Sequence, residues 1–356
     1  MKEATSMVVV GVDVHKRTHT FVVVDQVGAK LGHRTCAATT AGHEQAVRWV
    51  REQFGTEVVW AVEDCRGLSG RLERDLLAAG QRVVRVAPRL MAGQRRVDRA
   101  PGKSDPIDAL AVARVALREP DLPVAAHDEV SRDVKLLTDR LDDLVKQRTA
   151  TINKFLNRVH EIDPSWSPPA GSMDRPLWQR KLAAQLVDVP GVLAEVARDE
   201  LADIARDTVE INDLERRISN LIGPLVPTLL AMPGVGALTA AKIVGETAGI
   251  TRFKSEAAFA RHAGIAPIPV WSGNTTGRVR VHRGGNRQLN AAIHRIALTQ
   301  IRLDGPGKTY YEKKKAEGKT WREALRCLKR QLVGVVYRHL HTDHETAAQT
   351  VLPAAA

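Results

Sequence analysis

Hydrophobic and polar positions follow three successive patterns along the chain. Over the first part, short β-rich runs alternate with turn signals. Met7–Val14 (MVVVGVDV), Thr20–Asp25 and Lys30–Thr35 predict three antiparallel strands. A helix near His43–Gln53, a strand at Glu57–Val62, a helix near Leu68–Ala79 and a strand at Gln81–Val86 follow. A three-strand meander followed by strand–helix units predicts a mixed sheet covered by helices. From Val130 to Ile162 the apolar positions Val134, Leu137, Leu141, Leu144, Ile152, Phe155 and Val159 recur at helical spacing. A second helix is predicted at about Val209–Ile222, after a Pro-rich loop spanning Asp163–Pro176. Two long amphipathic helices with so little core between them read as an oligomerisation arm, the alternative being a plain packed bundle. The third pattern starts at Leu230 and is helical from about Leu238. It is interrupted by a Gly/Ser/Asn/Thr-rich loop, Ile265–Gly285, and resumes as helices near Arg287–Arg302 and Trp321–Leu340. The tail from Thr342 onward is expected to fray. These patterns divide the chain into segments 1–125, 126–228, 229–342 and a tail, 343–356.

Composition narrows the class. With 44% hydrophobic and 26% charged residues among 356, the chain is of ordinary globular type. Three cysteines without a CxxC spacing exclude a disulfide scaffold and a cysteine zinc site, and a reducing cytoplasm is expected. The run Ile218–Ala241 carries no charge over 24 residues, long enough to cross a bilayer. Pro224, Pro227 and Pro233 break it, so no membrane span is expected. Net charge is +12, and its distribution is more telling than its size. Between Thr251 and Leu340 there are 19 Lys/Arg against 5 Asp/Glu, a net +14, leaving −2 for everything else. A polyanion-binding C-terminal region is expected.

Several residues carry candidate chemistry. Asp13 stands in a valine-rich strand on the face of Val9 and Gly11, where a carboxylate needs a partner, a metal ion or a solvent-exposed strand end. Glu63 follows the strand EVVWAV at its C-terminal end, the edge where open α/β sheets place ligands; Asp64 points the other way. Asp105 and Asp108 lie in KSDPIDA at a spacing that puts both on one face of a helix's first turn. Asp105 could equally be an N-cap with Pro106 at the first helical position and Asp108 completing the cap. Together the four carboxylates make a ligand set suited to two Mg²⁺ ions in phosphoryl transfer. Pro233-Gly234-Val235-Gly236 resembles a helix-hairpin-helix turn, which would aim backbone N–H groups at a phosphate; a plain Pro-Gly turn is the simpler reading. Arg278, Arg280 and Arg283 stud the Gly-rich loop. Ser272 within it reads, on composition alone, as a turn residue. His339, His341 and His344 lack a zinc-compatible pattern and read as structural.

Taken in order, GVDVHK at Gly11–Lys16, Val62-Glu63 with LAAG at Leu77–Gly80, and KSDPIDA at Lys103–Ala109 resemble the N-terminal domain of DEDD transposases of the insertion-sequence-110 family. MPGVG at Met232–Gly236, FARHAGIAP at Phe259–Pro267, Ser272-Gly273 and RGGNRQL at Arg283–Leu289 resemble its C-terminal transposase domain. The family's T-D-x-x-D motif has Ser104 in place of the threonine here. The resemblance implies an RNase H-like mixed-sheet domain, similar to Holliday-junction resolvases, then a helical arm and a mainly helical C-terminal domain. It implies a Mg²⁺-binding tetrad of Asp13, Glu63, Asp105 and Asp108, and Ser272 as a nucleophile forming a phosphoserine link to DNA. Nucleic-acid contacts are expected at Gly234, Gly236, Arg278, Arg280, Arg283 and Arg287. Donor and target DNA, a structured guide RNA and a homo-oligomer (a dimer, becoming a tetramer in synapsis) are the implied partners. Action is expected at the nucleoid of a bacterial cytoplasm. A hydrolytic resolvase-like nuclease, in which water replaces the serine, is the alternative. An actin/sugar-kinase-type phosphotransferase is disfavoured because His15-Lys16-Arg17 stand where its phosphate loop would be. A non-catalytic architectural binder would leave the carboxylates unexplained.

Overall fold

The computed structural model describes residues 7–63, 67–87, 90–91, 104–119, 122, 124–125, 128–277, 279–281 and 284–351. The chain forms two compact units, Met1–His127 and Asp128–Ala356.

In the first unit, β1 (Val8–Val14), β2 (Thr18–Val24) and β3 (Lys30–Ala37) form the antiparallel meander. β4 (Val58–Glu63) and β5 (Arg82–Val86) add in parallel on the other side of β1, giving the order β3-β2-β1-β4-β5. This is the RNase H-like arrangement that the resemblance implied. The central strands read as almost unbroken apolar runs because both faces are covered. Val10, Val12, Phe21, Trp60 and Val62 pack with α1 (Thr40–Phe54) and α2 (Gly70–Ala78). Val9, Val22, Val24 and Ala61 share a second core with α3 (Asp105–Arg118) on the opposite face. The edge strand β3 alternates exposed and covered positions, as an edge should.

The second unit is helical. α4 (Glu129–Ile162), α5 (Pro176–Leu186) and α6 (Val192–Ile222) pack together over a buried cluster of Phe155, Val159, Leu182, Leu186, Ala197, Leu201 and Ile204. The expected two-helix arm is thus corrected to three helices with a core of their own. α6 begins at Val192, far ahead of the expected Val209, because Ala194, Ala197, Leu201 and Ile204 extend its buried stripe. Gly191 starts it at φ 97°, and the Arg198 guanidinium donates to the carbonyls of Leu186 and Val189, closing the turn from α5.

The other ends of α4 and α6 join one core with α7 (Pro227–Leu230), α8 (Ala237–Thr247), α9 (Glu256–His262), α10 (Arg287–Gln300) and α12 (Trp321–Val351). Hence the boundary expected near residue 228 is not a break: Val134, Leu141 and Ile218 share a core with Phe259, Ile293 and Val333. α11 (Pro306–Ala316) precedes α12, and the hairpin β6 (Pro267–Pro269) with β7 (Val279–Val281) rises between α9 and α10. The expected frayed tail from Thr342 is instead the end of α12, as far as Val351. Its anchor is Asp343, buried, whose carboxylate accepts from the backbone N–H groups of Thr228 (2.9 Å) and Leu229 (3.2 Å). No helix among the described residues is long and apolar enough to cross a membrane.

Candidate active site

β1 and α3 build the site. Val9, Gly11 and Asp13 alternate onto the α3 face of β1. Asp13, near the strand's C-terminal end, is 8% exposed, as is Asp108 in the first turn of α3. Ser104 is the N-cap of α3, with extended backbone and no side-chain capping bond, and Asp105 is the first helical residue. The capping alternative for Asp105 is therefore corrected: its carboxylate turns to His15 instead. Both carboxylates still sit at the positive end of the helix dipole.

His15 is the residue that the sequence did not single out. Its Nε2 lies 2.9 Å from Asp13 Oδ2 and 3.3 Å from Asp105 Oδ1. Asp13, His15 and Asp105 each offer a ligand atom, all within 4.8 Å of one another. Spacing could have found it, since His15 follows Asp13 by two at the end of a strand. Burial pushes the Asp13 carboxyl above its ordinary value; His15 opposes this, while Asp108 and Asp105 add to it. Asp13, a buried carboxylate facing two others, has the His15 imidazole beside it to offset their charge. Two carboxylates and an imidazole at this separation fit a divalent cation, with His15 as a third donor.

Glu63 ends β4. The parallel register pairs Gly11 with Ala61 and Val12 with Val62, so Glu63 shares the α3 face with Ala61, beside Asp13 on the neighbouring strand. The sheet thus brings Glu63 to the edge that holds Asp13, Asp105 and Asp108. Asp64 and Lys103 lie outside the described residues.

Ser272 belongs to the second unit, exposed between β6 and β7 and followed by a 3-10 turn, Gly273–Thr275. The base of its loop is held tightly. Asn286 donates from its backbone N–H to the His262 carbonyl (2.6 Å), and Asn290 donates to those of Ala263 (2.9 Å) and Gly264 (3.1 Å). Asn286 also caps α10, accepting from Gln288 and Leu289, and donates its amide to the buried Glu246 (2.5 Å), which Lys135 pairs at 2.6 Å. Arg280 on β7 and Arg287 at the start of α10 are exposed; Arg278 and Arg283 lie outside the described residues. Gly234 has φ 84° and packs against Thr299, while Gly236 is the N-cap of α8 with open space around it. The expected helix before this turn is only the four-residue α7. His339 donates to or accepts from Thr228 Oγ1 at 3.1 Å and His341 meets Tyr337 edge-on, in keeping with a structural role.

Comparisons with known proteins agree in both units. Residues 10–164 match the DEDD transposase model of the insertion sequence IS110, and residues 226–312 match the transposase model of the IS116/IS110/IS902 family. The 42 kDa protein of insertion element IS900 from Mycobacterium paratuberculosis is 29% identical, with 97% of this chain and 98% of that protein covered. The 44.8 kDa protein of insertion element IS116 from Streptomyces clavuligerus is 27% identical over 93% of this chain and 94% of that protein. Among solved structures, T. thermophilus RuvC in complex with a Holliday junction substrate matches 33% of this chain and 99% of that chain, at 18% identity and a TM-score of 0.27. With both of its units matched by models of one family and relatives aligned nearly end to end, the chain belongs to the insertion-sequence-110 family and is a DNA transposase.

Proposed function

We propose that this transposase cuts and rejoins DNA through a covalent phosphoserine. Asp13, Glu63, Asp105 and Asp108, with His15, hold divalent metal, Mg²⁺ in the family's pattern, and Ser272 is the nucleophile. The observation that carries the reading is the convergence of Asp13, His15 and Asp105 within 4.8 Å around a carboxylate whose burial disfavours its charge. Bound metal would neutralise the phosphate and stabilise the attacking and leaving oxygens.

The steps assigned to the chain balance simply. The Ser272 Oγ–H loses its proton to a neighbouring base and forms a bond to phosphorus. The bond from phosphorus to a deoxyribose oxygen breaks, and that oxygen takes up a proton. A hydroxyl of the partner strand then reverses the reaction, so the phosphodiester is remade without an external energy source. Exposure of Ser272 on a loop clamped at its base supports this role, since a nucleophile must reach DNA yet return to one geometry. Charge concentrated in residues 251–340 supplies the duplex affinity, and a structured RNA supplies target choice. Assembly into dimers and then tetramers brings two DNA partners together.

Denaturing gels of protein incubated with duplex substrate and Mg²⁺ test the reading. The expected result is a DNA–protein adduct that Ser272→Ala removes and that EDTA prevents. Full cleavage by Ser272→Ala without any adduct would return the chain to the hydrolytic nucleases, with metal-activated water as the nucleophile.

A further inference from the structure

A cleft of about 1250 Å³ lies between the β6–β7 hairpin and the helices α11 and α12. It is larger than the ~300–1,000 Å³ of most small-molecule pockets. Its apolar wall is Ile265, Val270, Val279 and Tyr310, and Arg280, Lys319 and Arg326 line it as well.

Charge in the cleft is unbalanced in a specific way. The acidic residues that line it are already engaged: Glu317 accepts from Lys314 (2.8 Å), and Glu323 from the N–H and hydroxyl of Thr320. Arg330 is paired with Glu256 at 3.0 Å. The side chains of Arg280, Lys319 and Arg326 make no hydrogen bond or close ion pair among the described residues, although Glu317 and Glu323 feel the charge of Lys319, and Glu323 that of Arg326, at longer range. Three cations line a concave surface without an anion in direct contact with any of them.

Aromatic groups are distributed around the same place. Tyr310 is half-buried in the wall. Trp271, next to the lining residue Val270, and Trp321, two residues beyond Lys319, are 52% and 53% exposed. Large exposed rings set among such cations match a strand whose phosphates meet the cations and whose bases stack on the rings. A duplex keeps its bases stacked on one another and cannot offer them to these side chains.

From this we infer that the cleft binds a single-stranded segment of nucleic acid. The inference rests on the proposed nucleic-acid function of this unit and deepens it. Because Val270, Val279 and Arg280 belong to the hairpin that carries Ser272, and Ile265 leads into it, an occupant of the cleft lies against the serine loop. The site selects DNA that has been opened, or an unpaired stretch of RNA.

Fluorescence anisotropy on the full chain in EDTA tests this, with dT12, U12 and a 12-base-pair duplex as probes. The expected result is that Tyr310→Leu weakens dT12 or U12 binding about 5- to 100-fold, the range for loss of one base-stacking ring. The ratio of single-strand to duplex affinity should fall with it. Arg326→Ala should reduce the slope of log K against log salt by about 0.7 on the single strand, the value for one phosphate contact. Arg326 and Trp271 are exposed, so Arg326→Ala and Trp271→Leu carry the test if Tyr310→Leu lowers the melting temperature. Preference between U12 and a dU12 control, which differ only at the 2′ position, identifies the sugar of the occupant. Unchanged single-strand affinity and salt slope in these variants, or equal loss on duplex, would overturn the cleft assignment while leaving duplex recombination standing. Failure of wild-type protein to bind any probe would overturn both.

Discussion

A Cβ built on Gly11 would lie 2.1 Å from the carbonyl oxygen of Ala109 and 2.5 Å from the amide nitrogen of Ala113. The backbone of α3 therefore rests directly on the backbone of β1, with only the Ala113 methyl group beside the contact. Two residues along β1 stands Asp13; one residue before Ala109 stands Asp108. The contact sets the spacing of the carboxylates, and a methyl group there must lift the helix.

Gly11→Ala is accordingly expected to destabilise the first unit by about 3 kcal/mol, at the upper end of the cost of overpacking a core. Urea unfolding should show a lower midpoint at an unchanged slope. Mn²⁺ binding followed by electron paramagnetic resonance should weaken in parallel, because Asp105 and Asp108 move away from Asp13. A midpoint equal to that of the native sequence would show that α3 is free to shift and does not set the site.

Asp13→Asn should do the opposite for stability. Burial raises the Asp13 carboxyl pKa, so the native state holds this proton more tightly than the unfolded chain. Its contribution to stability is therefore present below the unfolded value of 3.8 and lost as pH rises through the raised one. At neutral pH without metal the charged form is a cost, which the neutral amide removes. Thermal melts in EDTA at pH 7 are expected to show Asp13→Asn melting higher by a few degrees, on the order expected for one such group. The variant should not gain the further stabilisation that Mg²⁺, if held at the proposed site, is expected to give the native sequence through mass action. A lower melting temperature for Asp13→Asn in EDTA would contradict the desolvation argument.

How much of this site could be seen in the sequence differs from residue to residue. Asp13 was legible because a carboxylate among valines conflicts with its surroundings, and Glu63 because β4 ends at the ligand-binding edge of the sheet. His15 was not, since an imidazole just past a strand reads as a turn residue until α3 brings Asp105 against it. For the same reason Asp105 could not be told from an N-cap: the deciding contact is tertiary. Gly11 gave no local sign of its role, because the atoms that exclude a side chain belong to Ala109 and Ala113, remote in sequence. The early half of α6 was missed because its buried stripe contains Ala194 and Ala197, which mark a hydrophobic face only weakly among so many charges. Asp343 looked like part of a polar tail, and only the fold shows it holding the N–H groups of α7.

A second titrating group gives the first unit its acid response. His19 is buried, stacks on His43 at 5.1 Å between ring centres, and sits at a pKa of about 4 because burial and the neighbouring His43 disfavour its charge. His43 Nδ1 in turn lies 2.6 Å from Asp75 Oδ2. The unfolded chain takes up this proton near pH 6.5 and the native state only near 4. Stability from His19 is thus complete above pH 6.5 and lost as pH falls toward 4. The loss reaches about 3 kcal/mol, because a tenfold difference in proton affinity between the two states is worth about 1.4 kcal/mol. His19→Gln should flatten the dependence of melting temperature on pH in that window. An unchanged pH profile in this variant would assign the acid response to other groups.

The final prediction concerns the base of the serine loop, where two glycines touch. A Cβ on Gly285 would lie 2.2 Å from both Cα and N of Gly264, so the chain entering and the chain leaving the loop are in backbone contact. Asn286 and Asn290 bond across this junction, and Glu246 holds Asn286 from below while pairing with Lys135 on α4. Gly285→Ala forces the two strands of the loop apart and should cost about 1–3 kcal/mol. Glu246→Gln keeps an oxygen for Asn286 but loses the Lys135 ion pair, leaving a partly buried ammonium without its closest anion. Both variants are expected to expose the loop to limited proteolysis between residues 265 and 285, and to reduce the yield of the proposed Ser272 adduct more than they reduce duplex affinity. Geometry explains the difference: duplex affinity draws on many exposed cations, whereas attack on phosphorus requires one oxygen held to within about half an ångström. Native rates of proteolysis and adduct formation in Gly285→Ala would show that the clamp does not position the serine.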